Sequence, residues 1–195
     1  MTTESININQ LMSEASNRTK EKIADAVHDF ENIKWKTVDI LIPCAPKPSQ
    51  RPRLSGYRVY VPGAAKNATF FNNRVLPKYK ELWINTPCIV YADIYMETPA
   101  SFTDAQKCLA EMKILRPWAH TGDIDNLQKS LFDMVQPNKK RHHRGIMADD
   151  SLIIETYANK YYSITPRYEM KIKYMVDIPD SCMKILKFHS YDVEK

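Results

Sequence analysis

Four segments of this chain have the residue pattern of long β-strands. They are WKTVDILIPCAP from residue 35, PCIVYADIYME from residue 87, SLIIETYANKYY from residue 151 and RYEMKIKYMV from residue 167. β-Branched and aromatic residues dominate these segments, as the pleated and half-buried surface of a sheet requires. A shorter strand is predicted at YRVYV, and the last two long segments are predicted to form a hairpin across SITP.

Helical spacing of apolar residues lies between and before these strands. It predicts an N-terminal helix within residues 19–33, a partly helical stretch over 67–84, a helix capped by Thr103, and a helix from about Asp125 to Val135. Together the elements predict an α+β fold, with a mostly antiparallel or mixed sheet and helices packed on one face.

The 195 residues leave room for one domain with extensions. We expect an N-terminal helical extension at 1–35, a central domain at 36–178 and a polar C-terminal tail at 179–195.

Charge and cysteine content restrict the class of protein. The 28 basic and 23 acidic residues give a net charge of +5, which favours polyanionic partners only weakly. The four cysteines include no CxxC pair, so a zinc knuckle is not expected. We expect the cysteines to be reduced thiols in the cytoplasm. No secretory signal is visible and no 18 apolar residues run together, so no membrane segment is expected.

The segment GDIDNLQKSLFD, residues 122–133, concentrates charge on one short helix. Asp123 and Asp125 are two residues apart, so their side chains share a face where the backbone is extended. Asp125, Lys129 and Asp133 follow one another at intervals of four and share one face of the helix. Two interpretations stay open: a helix cap followed by a solvated ladder of charges, and a site for a divalent cation.

A second pair of carboxylates, Asp149 and Asp150, stands directly before the third long strand. Period-two alternation puts Asp150 in phase with Leu152 and Thr156, toward the layer that the helix packs against. If this strand begins beside the start of the Asp125 helix, three or four carboxylates converge and need protonation or a metal ion to neutralise them. Such oxygen ligands select Mg²⁺ or Mn²⁺.

Other site classes are excluded by their motifs. An EF-hand counted from Asp123 needs glycine and glutamate where the chain has Gln128 and Met134. No GxxxxGK[ST], GxGxxG or HExxH is present. His142 and His143, in a basic loop, are expected to face solvent or phosphate rather than a metal.

The order and spacing of these motifs resemble the RusA family of Holliday-junction resolvases, the crossover junction endodeoxyribonucleases of bacteria and their phages. The matching pieces are DIDNLQKSLFD, GIMADDSLII and the proline- and arginine-rich PCAPKPSQRPRLSGYRVYVP, within roughly residues 37–176. The resemblance implies a RusA-like, Mg²⁺-dependent homodimer that nicks four-way DNA junctions symmetrically in recombination and repair, in the cytoplasm of a bacterial or phage-infected cell. The catalytic residues that it implies are the acids Asp123, Asp125 and Asp150 with Lys129 as the essential base-type residue, supported by Asp133 and Asp149. Gly122 stands where phage members often have proline.

These residue types suit phosphodiester hydrolysis. Asp123, Asp125 and Asp150 would supply metal ligands, and the metal would lower the pKa of the attacking water. Lys129 would orient that water or neutralise charge on the phosphate. Asn126 would fix the orientation of one of the metal-binding side chains without contacting the metal itself.

Two basic groups are candidate DNA contacts, although each also fits a solvated loop. They are Lys47, Arg51, Arg53 and Arg58 in the first group, and Lys139, Lys140, Arg141 and Arg144 in the second. The second group, within KKRHHR, also fits a nuclear-localisation signal.

The leading hypothesis is a structure-selective endodeoxyribonuclease. An alternative is a non-catalytic protein that binds branched or single-stranded DNA, which would use aromatics such as Tyr57 and Tyr60 but would not need the three aspartates together. A phosphohydrolase of small nucleotides should carry a glycine loop for phosphate, and the four glycines here are not clustered.

Paired nicks on a two-fold symmetric junction require two active sites, so we expect a homodimer of about 45 kDa, twice the 22.7 kDa of the chain. Apolar surface for its interface is expected on the strands at 87–97 and 151–162, and on the N-terminal helix face of Ile23, Val27 and Phe30.

Overall fold

A computed structural model of the chain describes residues 8–49, 53–55, 58–60, 64–118, 121–138 and 143–186. The described residues form two compact units. One contains residues 8–35 and 175–186, and the other lies between residues 36 and 174. Within the described ranges, no helix is long and apolar enough to cross a membrane.

In the described part of the chain, six strands form two sheets. Their bounds are β1 Lys34–Ile42, β2 Arg53–Ser55, β3 Arg58–Tyr60, β4 Cys88–Glu97, β5 Ile153–Ser163 and β6 Arg167–Val176. The larger sheet has the order β1-β6-β4-β5, and β2 pairs antiparallel with β3 in the smaller one. Because β4 is parallel to β5 and antiparallel to β6, the larger sheet is mixed, and the predicted α+β class is confirmed.

The predicted hairpin of β5 and β6 is wrong. Both strands pair with β4, which lies between them in the sheet. The three residues 164–166 therefore cross the end of β4 instead of making a hairpin turn. On β4, Val90, Ala92 and Ile94 are buried, while Tyr91 is exposed, so the expected apolar surface of this strand is limited to its other face.

Six α-helices lie within the described ranges. Their bounds are α1 Ile8–Glu14, α2 Asn17–Glu31, α3 Ala64–Phe70, α4 Asp104–Glu111, α5 Ile124–Val135 and α6 Asp180–Leu186. The prediction for Thr103 is confirmed, because it caps α4 in a capping box with Gln106. The stretch after α3 continues as a π-helical turn and then as a 3₁₀ turn that contains Pro77, in agreement with its predicted partly helical character.

The segment predicted as a polar tail contains α6. Within the unit that holds both helices, α2 contacts α6, and Ser181 donates a hydrogen bond to the carboxylate of Asp29. Cys182 is fully buried in a small cluster with Ile33 and Met175. A buried cysteine packs as an apolar group. The polar composition of residues 179–195 gave no indication that this segment contributes to a core.

Candidate active site

The first turn of α5 presents two free carboxylates. Asp123 is the N-cap residue by its extended backbone, but its side chain makes no capping hydrogen bond. Asp125 lies in the first turn, as predicted. Both residues are exposed, and neither carboxylate has a hydrogen bond or ion pair within the described part of the chain. An aspartate at an N-cap usually satisfies a backbone N–H of the helix. Asp123 leaves its oxygens available for another ligand.

The segment that follows β1 is fastened to this end of α5. The backbone N–H of Ser49 donates to the carbonyl oxygen of Asn126 over 2.9 Å. Gly122 has a φ of +86°, and a Cβ added there would lie 3.1 Å from two side-chain carbons of Pro48. Proline cannot adopt that φ, which accounts for glycine before Asp123 in this chain.

Tyr168, in β6, holds the same segment in place. Its side chain is fully buried, and its hydroxyl oxygen accepts a hydrogen bond from the backbone N–H of Lys47 over 3.2 Å. Burial raises the pKa of Tyr168 to about 12, against the opposing effect of its hydrogen bonds to Lys47 and Ser130. The phenol is therefore neutral at physiological pH, and it holds the exposed Lys47 beside the start of α5.

Lys160 of β5 holds the chain just before the first aspartate. Its Nζ donates to the carbonyl oxygen of Gly122 over 2.9 Å and to Oγ1 of Thr121 over 3.0 Å. Because the ammonium group is only partly exposed, these bonds fix the approach to Asp123.

Asp149 and Asp150 differ in what they bind. Oδ1 of Asp149 accepts a hydrogen bond from the backbone N–H of Ser151 over 2.9 Å and so caps the 3₁₀ turn Asp150–Leu152. Asp150 is exposed, and its carboxylate has no hydrogen bond or ion pair among the described residues. The predicted period-two phase of Asp150 is wrong, because the residue lies in this turn and β5 begins only at Ile153.

The helix α5 runs antiparallel to β5, as two hydrogen bonds to β5 show, and a third bond places the segment before β5. At the start of α5, Gly122 receives the bond from Lys160. Midway, Nε2 of Gln128 donates to Oγ1 of Thr156 over 2.7 Å. At the end of α5, the backbone N–H of Ile146 donates to the carbonyl oxygen of Val135 over 2.8 Å.

The strand entrance thus lies beside the end of α5, and the carboxylates do not converge as the sequence suggested. Asp125 is ten residues from Val135, which corresponds to about 15 Å along a helix. Asp150 lies near the far end, so Asp123 and Asp125 form one acidic pair and Asp150 stands apart. Consistent with this arrangement, no group of three or more His, Cys, Asp or Glu residues is placed to hold a metal ion in the described part of one chain.

Lys129 lies one turn beyond Asp125 and is exposed. Among the described residues, Lys129 makes no ion pair with Asp125 or Asp133, so the ladder of charges that was one of the two open interpretations contains no salt bridge of Lys129. Like the two acids at the helix start, its charged group is available to a ligand.

The sequence model of endodeoxyribonuclease RusA matches residues 43–173, which is most of the chain and includes α5, β4, β5 and most of β6. The chain belongs to the RusA endodeoxyribonuclease family. A search of curated proteins finds no match.

RusA membership confirms the resemblance and identifies the chain as a nuclease of the hydrolase class. All of the predicted acids and Lys129 lie inside the matched range. The individual roles of these residues stay a prediction, as do the metal and the dimer.

Of the two basic groups in this RusA member, one described residue of each can be placed relative to α5. Lys47 is near its start, and the exposed Arg144 follows His143, whose backbone pairs with Asn138 beyond its end. Arg51 and the loop residues Lys139, Lys140 and Arg141 lie outside the described residues. Arg53 and Arg58 lie in β2 and β3.

His143 is buried, which contradicts its predicted exposure to solvent or phosphate. Nε2 of His143 bonds the carbonyl oxygen of Met134, and its ring meets Phe71 edge-on with centroids 5.8 Å apart. The histidine therefore packs the end of α5 onto the core. His142 lies outside the described residues.

Sequence reasoning missed two residues that position the site, Lys160 and Tyr168. A signal existed for Lys160, because the period of two puts it in phase with Thr156, on the side that faces α5. No comparable signal marked Tyr168, whose partner Lys47 is 121 residues away in sequence.

Proposed function

We propose that this RusA-family chain is a divalent-metal-dependent endonuclease that nicks four-way DNA junctions, with the start of α5 at its catalytic centre. The observation that carries the proposal is the free pair of carboxylates at Asp123 and Asp125 in a chain that belongs to a nuclease family. A solvated helix cap would engage at least the N-cap carboxylate, and here it is not engaged.

The donor set fits Mg²⁺. Proteins usually hold this ion through one or two carboxylates, and it keeps several waters or takes substrate phosphate oxygens as its other ligands. Asp123 and Asp125, two residues apart at the start of α5, provide that number of carboxylates. When bound, Mg²⁺ would lower the pKa of a coordinated water and offset charge on the phosphate. Mn²⁺ has the same ligand preference.

The surrounding residues complete the proposed site. Lys129 would direct its ammonium group at the phosphate from one turn along α5. Lys47 would contact the DNA backbone on the other side. Lys160 and Gly122 would fix the position of Asp123 without touching the substrate.

Cleavage of a labelled synthetic four-way junction tests the proposal. We expect nicks in strands of the same polarity with Mg²⁺ and none with EDTA, and much slower cleavage of a linear duplex that contains the same sequence. Absence of cleavage with both Mg²⁺ and Mn²⁺ would contradict the enzyme assignment. Binding without cleavage would favour the alternative of a DNA-binding protein, and equal cleavage of the linear duplex would exclude junction selectivity.

A further inference from the structure

Trp118 is the most exposed large apolar side chain in the part of the chain that the structure describes, with 82% of its surface accessible. Its indole makes no hydrogen bond and no ring contact with another described residue. A single exposed apolar side chain is ordinary in itself. The importance of Trp118 comes from the place where its backbone is held, close to the acidic pair at the start of α5.

One ammonium group ties Trp118 to the proposed site. Nζ of Lys160 donates to the carbonyl oxygen of Trp118 over 3.5 Å and to that of Gly122 over 2.9 Å. Oγ1 of Thr121 also donates to the carbonyl oxygen of Trp118, over 3.1 Å. The backbone of Trp118 is therefore fixed beside the approach to Asp123, while its side chain stays in solvent.

The residues before Trp118 combine an anchor with a cation. Pro117 is buried, and the guanidinium carbon of Arg116 lies 4.9 Å from the ring centroid of Tyr161. Nε of Arg116 donates to the carbonyl oxygen of Lys113 over 3.3 Å, and its terminal N–H groups have no partner among the described residues. These N–H groups are free to bind a phosphate. An exposed aromatic ring beside a free cationic group is the combination with which proteins bind unpaired nucleotides.

The surroundings of Trp118 favour a nucleobase over an apolar protein surface. A protein partner needs a continuous apolar patch, and the exposed or half-exposed residues that flank the indole in the chain are Arg116, Thr121 and Gly122 instead. A base offers a flat π-face, and the phosphates next to it suit Arg116. The bases of a linear duplex are already stacked on both faces, so the indole would have to unstack them at a cost. A base where stacking is interrupted presents its face at a lower cost.

On the basis of the proposed function, we infer that Trp118 stacks on a base at the branch point of a bound four-way junction and so favours branched over linear DNA. The exchange of strands interrupts the base stack at the branch point. Successive base pairs are about 3.4 Å apart, so a base a few steps from a phosphate at Asp123 lies within reach of the indole. Trp118 then determines specificity through a DNA contact outside the acidic pair.

Binding of a synthetic four-way junction by Trp118 variants tests the inference. All proteins carry Asp125→Asn, so that the DNA stays intact in Mg²⁺. Trp118→Ala should weaken junction binding by about 5- to 150-fold, the usual effect of losing one stacked base, and should hardly change binding of a linear duplex. Trp118→Phe keeps a ring and should retain most of the affinity. Trp118→Leu is apolar without a ring and should lose as much as Trp118→Ala.

Met112→Ala is the matched control, because Met112 is also a large apolar side chain, is 66% exposed and lies in the same segment directly after α4. It should bind both DNAs like the Asp125→Asn parent protein. Equal weakening of junction and duplex binding by Trp118→Ala, a similar loss with Met112→Ala, or full affinity of Trp118→Leu would overturn the inference. A lower mass of Trp118→Ala by light scattering would also overturn it, by assigning Trp118 to a contact between protein copies.

Fluorescence of 2-aminopurine locates the stacked base. The analogue replaces each base next to the strand exchange in turn, and its emission falls when an aromatic ring stacks on it. At one or more of these positions, saturating parent protein should give a lower emission than saturating Trp118→Ala. Equal emission with the two proteins at every position would contradict stacking.

The wild-type chain separates this inference from the proposed function. If wild type does not nick the junction and the Asp125→Asn parent does not bind it, the proposed function fails and the stacking inference falls with it. If wild type nicks the junction and Trp118→Ala binds it as tightly as the parent, only the stacking inference is wrong.

Discussion

Nζ of Lys160, in β5, lies 2.9 Å from the carbonyl oxygen of Gly122, the residue before Asp123. This bond connects the edge strand of the sheet to the start of α5. The partly buried ammonium group of Lys160 thus lies behind the exposed pair of Asp123 and Asp125, and the position of these two acids depends on it.

Lys160→Met should therefore lower junction cleavage while the fold is kept. Methionine preserves much of the side-chain volume, but it cannot donate to Gly122 or Thr121. We expect a loss of about 1 to 2 kcal/mol in the free energy of unfolding, from urea titration, and a fall in cleavage rate at saturating DNA. Lys171→Met is the control, because Lys171 makes only an exposed ion pair with Asp39. Equal behaviour of the two variants would show that the Lys160 contact has no positioning role.

Substitution of the neighbouring acids Asp149 and Asp150 should have opposite consequences. Asp149→Ala removes the cap on Ser151 and should cost about 1 kcal/mol of stability. Asp150→Ala removes no contact in the described structure, so stability should hardly change while cleavage is lost. Thermal unfolding and junction cleavage measured on both variants check this pair. A stable, fully active Asp150→Ala would remove Asp150 from the site.

Replacement of Lys139, Lys140, Arg141 and Arg144 by alanine should weaken DNA binding and flatten its salt dependence. Each lost phosphate contact should reduce the slope of log affinity against log salt by about 0.9. A variant with alanine at Lys20, Lys22, Lys34 and Lys36 loses the same charge elsewhere and serves as the control. Equal slopes for the two variants would mean that the loop contributes only net charge.

Local patterns explain why most elements could be predicted. Thr103 and Gln106 form a capping box within four residues, and α5 has its apolar face at Leu127 and Leu131, so both helices follow from nearby sequence. Strand pairing has no such local signal. The three-residue link after Ser163 is short enough for a hairpin turn. The hairpin is absent because β5 and β6 each pair with β4, which lies between them.

The candidate site could be predicted from the sequence only to the same extent. The identities of Asp123, Asp125 and Lys129 follow from their spacing on one helix. The direction of β5 relative to α5 does not, because it depends on the bonds of Gln128 with Thr156 and of Lys160 with Gly122, which join residues far apart in sequence. The period-two alternation of side chains in β5 also does not extend into the 3₁₀ turn at Asp150, so it does not predict the direction of that side chain.

The most direct test of the proposed active site is cleavage of a four-way junction by Asp125→Asn, with binding measured on the same preparation. Loss of one ligand charge should lower the cleavage rate by about 100-fold or more in Mg²⁺. Junction binding should be kept or slightly tightened, because repulsion of phosphate is reduced. Asp104→Asn, which changes a first-turn aspartate of α4, should cleave like wild type. Cleavage by Asp125→Asn at the wild-type rate would contradict the assignment of the start of α5 as the catalytic centre.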